Sequence, residues 1–189
     1  MLVRRPISLS DHLTNSPHLS VNRLCGSGFQ SIVNGVQEIL VGDSDIVLTG
    51  GTDNMSASPY AVRDIRFGTR LGMDPKLEDM MWTSLTDQLS KTPMGVTAEN
   101  LAAKYGVTRE DSDNFSLRSQ QTWGAAAQAG HFADEISPVV LKSKKGEVEM
   151  SLDEHPKPKT TIEQLAKLPT VFKKGGVVTA GSASGICDG

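Results

Sequence analysis

Between Cys25 and Val41 the apolar residues fall at Phe29, Ile32, Val33, Val36, Ile39 and Leu40, the spacing of one helix face, and Gly42-Asp43 closes the helix. Asp45-Ile46-Val47-Leu48-Thr49, running into Gly50-Gly51, is a short apolar run bounded by turn residues and predicts a buried strand. A second helix is expected at 94–105, with Met94, Ala98, Leu101, Ala102 and Tyr105 on one side and Gly106 at its end. Thr108-Arg109-Glu110-Asp111 spells a capping box, and the helix it opens runs to about Ala129 and stops at Gly130. Ile136 to Leu141 predicts a strand interrupted near its start by Pro138. Lys144-Lys145-Gly146 then turns into Glu147-Val148-Glu149-Met150-Ser151-Leu152, whose alternation predicts the second strand of a hairpin. A short helix follows Thr160-Thr161 and ends before Pro169, and Val177-Val178-Thr179-Ala180 enters Gly181-Ser182-Ala183-Ser184-Gly185. Residues 1–20 show no periodicity and read as a loop. The irregular stretch 52–92 is too long for slack chain in a compact domain and reads as a functional or interface loop. Helix feeding strand predicts a layered α/β domain.

Composition narrows the function classes. A chain of 189 residues with 38% hydrophobic and 22% charged positions is long enough for a core, which excludes wholesale disorder. No apolar run approaches the ~18–20 residues that cross a bilayer, so no membrane span is expected. Nineteen Lys+Arg against 22 Asp+Glu leave a net charge of -3, with no basic footprint for nucleic acid. Two cysteines cannot staple a disulfide scaffold and point to a reducing compartment. The basic opening Met1-Leu2-Val3-Arg4-Arg5-Pro6 lacks the apolar core of a secretory signal and reads as a surface terminus. No metal site is assigned.

Cys25 carries the sharpest chemistry. It falls where a short apolar lead, Val21 and Leu24, meets the first turn of the helix. Free backbone N–H groups and the helix dipole favour negative charge there, which eases formation of a thiolate. Gly26-Ser27-Gly28 leave room for a substrate beside the sulfur. A cysteine that accepts an acyl group needs both features. The alternative is a small buried core residue, common for an arbitrary cysteine but in no need of small neighbours.

The neighbours carry a resemblance. Val21-Asn22-Arg23-Leu24-Cys25-Gly26-Ser27-Gly28-Phe29-Gln30-Ser31-Ile32 resembles the active-site signature of the thiolases. The similarity continues through Gly50-Gly51-Thr52-Asp53-Asn54-Met55-Ser56, Thr97-Ala98-Glu99-Asn100-Leu101-Ala102, Ser119-Gln120-Gln121 and Val178-Thr179-Ala180-Gly181-Ser182-Ala183-Ser184. Arg66-Phe67-Gly68-Thr69 and Leu85-Thr86-Asp87-Gln88 with Pro93-Met94 are most similar to the mitochondrial 3-ketoacyl-CoA branch of that family.

The resemblance implies a partial N-terminal half of a thiolase-like α/β fold, a mixed sheet with helices on both faces, plus an inserted loop domain. The implied domains are an irregular segment at 1–20, a nucleophile-bearing part at 21–52, the loop domain with its CoA-binding region at 53–172, and a return strand at 173–189. Relative to the family pattern the chain reads as truncated at both ends, a piece that would expose apolar surface and be marginally stable alone. The implied activity is acyl transfer between acetyl-CoA and a longer acyl-CoA in fatty acid β-oxidation. It proceeds by a ping-pong route through an acyl thioester on Cys25, whose own N–H would supply part of an oxyanion hole. Leu85 and Met94 match positions lining the pantetheine channel, with Pro93 where many relatives carry a histidine. Lys157 and Thr160 match CoA-contacting positions, the first more often arginine; without the resemblance they read as a solvated loop and a helix cap. Ser184 matches the serine that hydrogen-bonds the pantetheine arm. The implied substrates are coenzyme A and acyl-CoA, with no permanently bound cofactor, and the implied setting is a dimer or tetramer in the mitochondrial matrix.

The family's catalytic histidine and second cysteine have no matching motif in the chain. His12, His18, His131 and His155 lie in other settings, and Cys187, in Ser184-Gly185-Ile186-Cys187-Asp188-Gly189, is assigned no catalytic role and read as a small buried residue. Three readings stay open: a thiolase, a non-catalytic CoA-binding or oligomerising piece of one, and a thiol-reactive redox protein.

Overall fold

A computed structural model describes residues 17–144 and 146–189. The segment 1–16, with most of the loop expected at 1–20, its basic opening and His12, lies outside the described residues, as does Lys145 in the expected turn. The chain divides into two compact units, Met1–Asp53 with Gly189 and Asn54–Asp188.

The first unit contains helix α1, Ser27–Val41, whose apolar spacing and left-handed Gly42 C-cap follow the sequence pattern. Gly35 is the buried residue of α1, and a Cβ there would lie 2.8 Å from Thr49 Cγ2 and 3.1 Å from Val47 Cγ1. Only a glycine lets the helix approach the 47–49 segment this closely. The buried strand expected at 45–49 does not form: the segment has no ladder partner among the described residues, and Ile46 and Leu48 are 91% and 83% exposed. A strand needs a neighbour to satisfy its N–H and C=O groups, and the described residues of this unit supply none. The apolar row of α1 is open for the same reason, with Phe29 66% exposed.

The stretch 52–92, which from Asn54 on belongs to the second unit, is less irregular than the sequence suggests. Strands β1, Tyr60–Val62, and β2, Leu77–Asp79, pair antiparallel with Ala61 opposite Glu78. Asp79 then caps α2, Met80–Ser84, by accepting from the N–H groups of Met81 and Trp82. Three-residue strands are too short to leave a periodic signature.

Helix α3, Met94–Tyr105, ends at a left-handed Gly106 as expected. Helix α4, Arg109–Gln128, begins with the full capping box of Thr108 and Asp111. The hairpin forms from β3, Val139–Ser143, and β4, Gly146–Met150, in the register Leu141 opposite Val148. It starts after Pro138, which lacks the N–H a ladder requires. Both strands are exposed along their whole length. Helix α5, Ile162–Ala166, opens with a capping box of Thr161 and Gln164. Arg109 links α4 to the end of α5: its Nε pairs with Asp113 Oδ2 at 2.8 Å, and its Nη2 donates to the carbonyls of Leu165 at 2.7 Å and Leu168 at 3.0 Å. The expected strand near 177–180 is an isolated bridge between Thr170 and Thr179.

The core of this unit is small and centred on a carboxylate. Ala102, Leu165 and Val178 are buried beside Glu99, which is 3% exposed, and Thr179 at 0%. Glu99 Oε1 accepts from Val178 N at 2.9 Å, and both its oxygens accept from Val177 N. Gly176 lies so close that any Cβ there would collide with the carboxylate. Among the described residues no helix is long and apolar enough to cross a membrane.

Replacing Glu99 with alanine leaves these amides without an acceptor in a site closed to water, at an expected cost of about 2–3 kcal/mol. Glu99→Gln retains an acceptor oxygen and should cost about half as much. Hydrogen exchange at the Val178 amide checks this, and equal protection in the Glu99→Ala variant and the parent would contradict it.

Candidate active site

The turn before α1 is built from local hydrogen bonds. Asn22 Oδ1 accepts from Leu24 N at 2.9 Å, and Ser27 Oγ accepts from Arg23 N at 2.9 Å while donating to Leu24 O at 2.7 Å. Arg23 Nη1 reaches Gln30 Oε1 at 2.8 Å. Leu24 adopts a left-handed φ of 50°, a conformation costing a residue with a Cβ about 1–2 kcal/mol, which this network offsets. The chain thereby reverses just before Cys25, whose free thiol is exposed. The helix that follows has Gly26 as its N-cap and no side-chain cap. Ser27 N is taken by Leu24 O and Gln30 N by Gly26 O. The N–H groups of Gly28 and Phe29 meet no acceptor among the described residues. Two unpaired donors at a helix start can hold an oxygen that acquires negative charge, and an exposed thiol three and four residues ahead of them can attack a carbonyl.

In the second unit the residues singled out from the sequence fall into two groups. Leu85 and Met94 are joined directly: Met94 N donates to Leu85 O at 3.0 Å, closing a loop in which Thr86 bridges Pro93 and Asp87 N donates to Thr92 O. Asp87 Oδ1 accepts from Leu89 N at 2.9 Å and Ser90 N at 2.6 Å. These bonds, those from Ser90 foremost, hold the Asp87 carboxyl below the usual carboxylate range. Leu85 is half-buried and Met94 exposed.

Lys157 and Thr160 form the second group. Thr160 N donates to Lys157 O at 2.9 Å, and both line an open groove of about 350 Å³ with Pro158, Lys159 and Gln164. The cap of α5 is Thr161, so the alternative of Thr160 as a helix cap is set aside. Ser184 is exposed, and its neighbour Gly185 lies against the His155 ring, where a Cβ would be 2.7 Å from Nδ1. That contact brings the 155–160 loop beside Ser184. Cys187 is exposed rather than buried. Its neighbour Asp188 accepts from Ser56 N at 2.8 Å, which holds the Asp188 carboxyl below its usual range.

The sequence reading missed His155 and Gln120 as parts of this region. Gln120 Oε1 accepts from Lys157 N at 2.6 Å. Gln120 was visible only as part of a family motif, because a side chain reaching a backbone 37 residues away leaves no local pattern. A wider groove of about 670 Å³, lined by residues that include Arg63, Lys76, Glu78 and Trp82, holds none of the expected site residues. There Arg63 pairs with Glu78, raising the guanidinium's pKa and lowering the carboxylate's. Among the described residues no cluster of three or more His, Cys, Asp or Glu could hold a metal ion.

Comparison with known proteins adds the wider setting. The model of the thiolase N-terminal domain matches residues 2–189. The mitochondrial 3-ketoacyl-CoA thiolase of Mus musculus is 60% identical over 176 residues, 93% of this chain and 44% of its own length. A crystal structure of human mitochondrial 3-ketoacyl-CoA thiolase superposes with a TM-score of 0.88 at 60% identity, covering 92% of this chain and 44% of that one. A structure of the human enzyme in complex with CoA superposes at 0.83 with 59% identity, covering 89% and 42%. The chain thus spans less than half the length of these relatives.

The Asp87 loop has a pH signature. A carboxylate whose folded pKa is depressed contributes stability that is present above its unfolded value of about 3.9 and lost as pH falls through the lower folded value. The Leu89 and Ser90 amide resonances should therefore shift together on acidification, with a midpoint below about 3.9. An NMR titration reads this, and a midpoint at or above that value counts against the assignment.

Proposed function

The chain belongs to the thiolase family, carrying residues of its N-terminal domain, and on that premise we propose that it supplies the nucleophilic half of a 3-ketoacyl-CoA thiolase, with Cys25 as the acyl acceptor. The single observation that carries this reading is the exposed Cys25 thiol at a helix start whose Gly28 and Phe29 amides are unpaired among the described residues. The Cys25 sulfur, as thiolate, attacks the C3 carbonyl of a 3-ketoacyl-CoA, and the carbonyl oxygen takes the negative charge. Collapse of that adduct breaks the C2–C3 bond, leaving the shortened acyl group on sulfur as a thioester. The two-carbon unit departs as the enolate of acetyl-CoA and takes up a proton. In the second half-reaction the thiol of a free CoA attacks the thioester, carries off the acyl group, and its proton returns to Cys25.

Leu85 and Met94 are the proposed pantetheine contacts, Lys157 and Thr160 the proposed CoA contacts, with Lys157 at the nucleotide, and Ser184 the proposed hydrogen-bond partner of the pantetheine arm. Support comes from the joining of the first pair across one hydrogen bond and from the groove shared by the second. We retain the domain limits 21–52, 53–172 and 173–189 as part of this reading. Coenzyme A enters as substrate, the complete assembly is a dimer or tetramer, and the setting is fatty acid β-oxidation in the mitochondrial matrix; the relatives' names, which include the word mitochondrial, support the organelle. The family's catalytic histidine and second cysteine have no match among the motifs of this chain, so we propose acyl capture on Cys25 as its step, with water accepting the thiol proton and protonating the enolate.

The test is acyl transfer onto the purified chain. With acetoacetyl-CoA, Cys25 should acquire one acetyl group by intact mass, and Cys25→Ser should abolish the labelling. Rapid steady-state thiolysis by the chain alone would show that it holds the full machinery. Binding of CoA without labelling would favour the second reading, a non-catalytic CoA-binding piece. Peroxide reactivity without acylation would favour the redox reading.

A further inference from the structure

We propose that Gln120 is a positioning residue for coenzyme A, acting through Lys157: it fixes the backbone from which the Lys157 ammonium reaches the nucleotide end of the ligand. The inference rests on the reading that Lys157 contacts CoA and goes beyond it by naming what aims that side chain.

The geometry is specific. Gln120 lies on α4, and its Oε1 accepts from Lys157 N at 2.6 Å. One turn further on, on the same helix face, Gly124 leaves a notch for the next residue of the loop: a Cβ at Gly124 would lie 2.5 Å from Pro158 Cβ. The carbonyl of Lys157 is taken in turn by Thr160 N at 2.9 Å. Both backbone polar groups of Lys157 are therefore committed, and the following proline restricts the chain further. Among the described residues the Lys157 side chain makes no hydrogen bond or ion pair, and the residue lies exposed at the groove it lines with Thr160 and Gln164.

A lysine is a point charge on a flexible stem, without the planar fork by which arginine orients itself. Anchoring its backbone beforehand removes part of the ordering cost that ligand binding would otherwise meet. An exposed loop with a mobile backbone would give the same charge at lower affinity. Gln120 supplies an anchor without adding a charge that would compete for the ammonium.

The experiment is calorimetric titration of the full chain with CoA and with phosphopantetheine, which lacks the adenosine part. Gln120→Met, which keeps length and loses the acceptor, should weaken CoA binding about five- to tenfold and leave phosphopantetheine binding unchanged. In a Lys157→Ala background the same substitution should change CoA affinity no further. Equal weakening of both ligands, or a loss that adds to that of Lys157→Ala, would overturn the proposal. Should Gln120→Met fail to fold, Gly124→Ala, which pushes Pro158 off the helix, must reproduce the selective loss, and unchanged CoA affinity there overturns the proposal equally. A parent chain that binds no CoA at all defeats the underlying reading as well, and does so before any variant is made.

Discussion

A buried carboxylate organises the second unit. Glu99 is taken out of water and given backbone N–H groups in exchange, an arrangement tolerable only because Val177 and Val178 both point their amides at it. Once 177–178 is held against α3, the next residues follow. Thr179 bridges Thr170 and accepts through its side chain from Gly181 N. Gly181 lies where a Cβ would sit 2.6 Å from Leu165 Cδ2. Four residues later Gly185 meets the His155 ring. From there the loop runs through Lys157 to Gln120 on α4. A path of contacts therefore links a core carboxylate to the exposed groove.

Much of this was legible where the signal is local. The caps of α1, α3 and α4 appear in the sequence as Gly42, Gly106 and the Thr108–Asp111 box, because each is decided within four residues. The long-range contacts were not. Glu99 reads as an ordinary polar position of an amphipathic helix, and nothing local announces that its partners lie 78 and 79 residues away. The same holds for Gln120 and for the notch at Gly124. Family motifs include Glu99 and Gln120 without saying why, and their hydrogen bonds supply the reason.

The strand expected at 45–49 does not form, and the hairpin that does form is left open, for one cause. The run 45–49 has a strand's composition and the 139–150 hairpin has a covered sheet's alternation, yet both lie open. Apolar pattern records what a segment is selected to bury against, and its realisation depends on the partner being at hand. Burying a side chain such as Ile46, Leu48 or Phe29 is worth about 1.5–3 kcal/mol, so leaving several exposed forgoes a sum comparable with the whole stability of a small domain. The expected thiolase-like α/β fold nevertheless holds, with a TM-score of 0.88 to the human enzyme, and among the described residues it is carried by capped helices and two two-stranded sheets.

The two units make unequal demands on their surroundings. The turn at Asn22–Ser27 is closed by bonds within seven residues of one another, so the geometry at Cys25 is set locally. Ligand contacts on the second unit depend instead on segments far apart in sequence, brought together through Glu99, His155 and Gln120. On the proposed function, the intrinsic capacity of the thiol to accept an acyl group is the robust element, and recognition of the carrier is the fragile one. Within the second unit, the bonds that hold the Lys157 backbone to Gln120 and Thr160 therefore decide how firmly the carrier's contacts are placed.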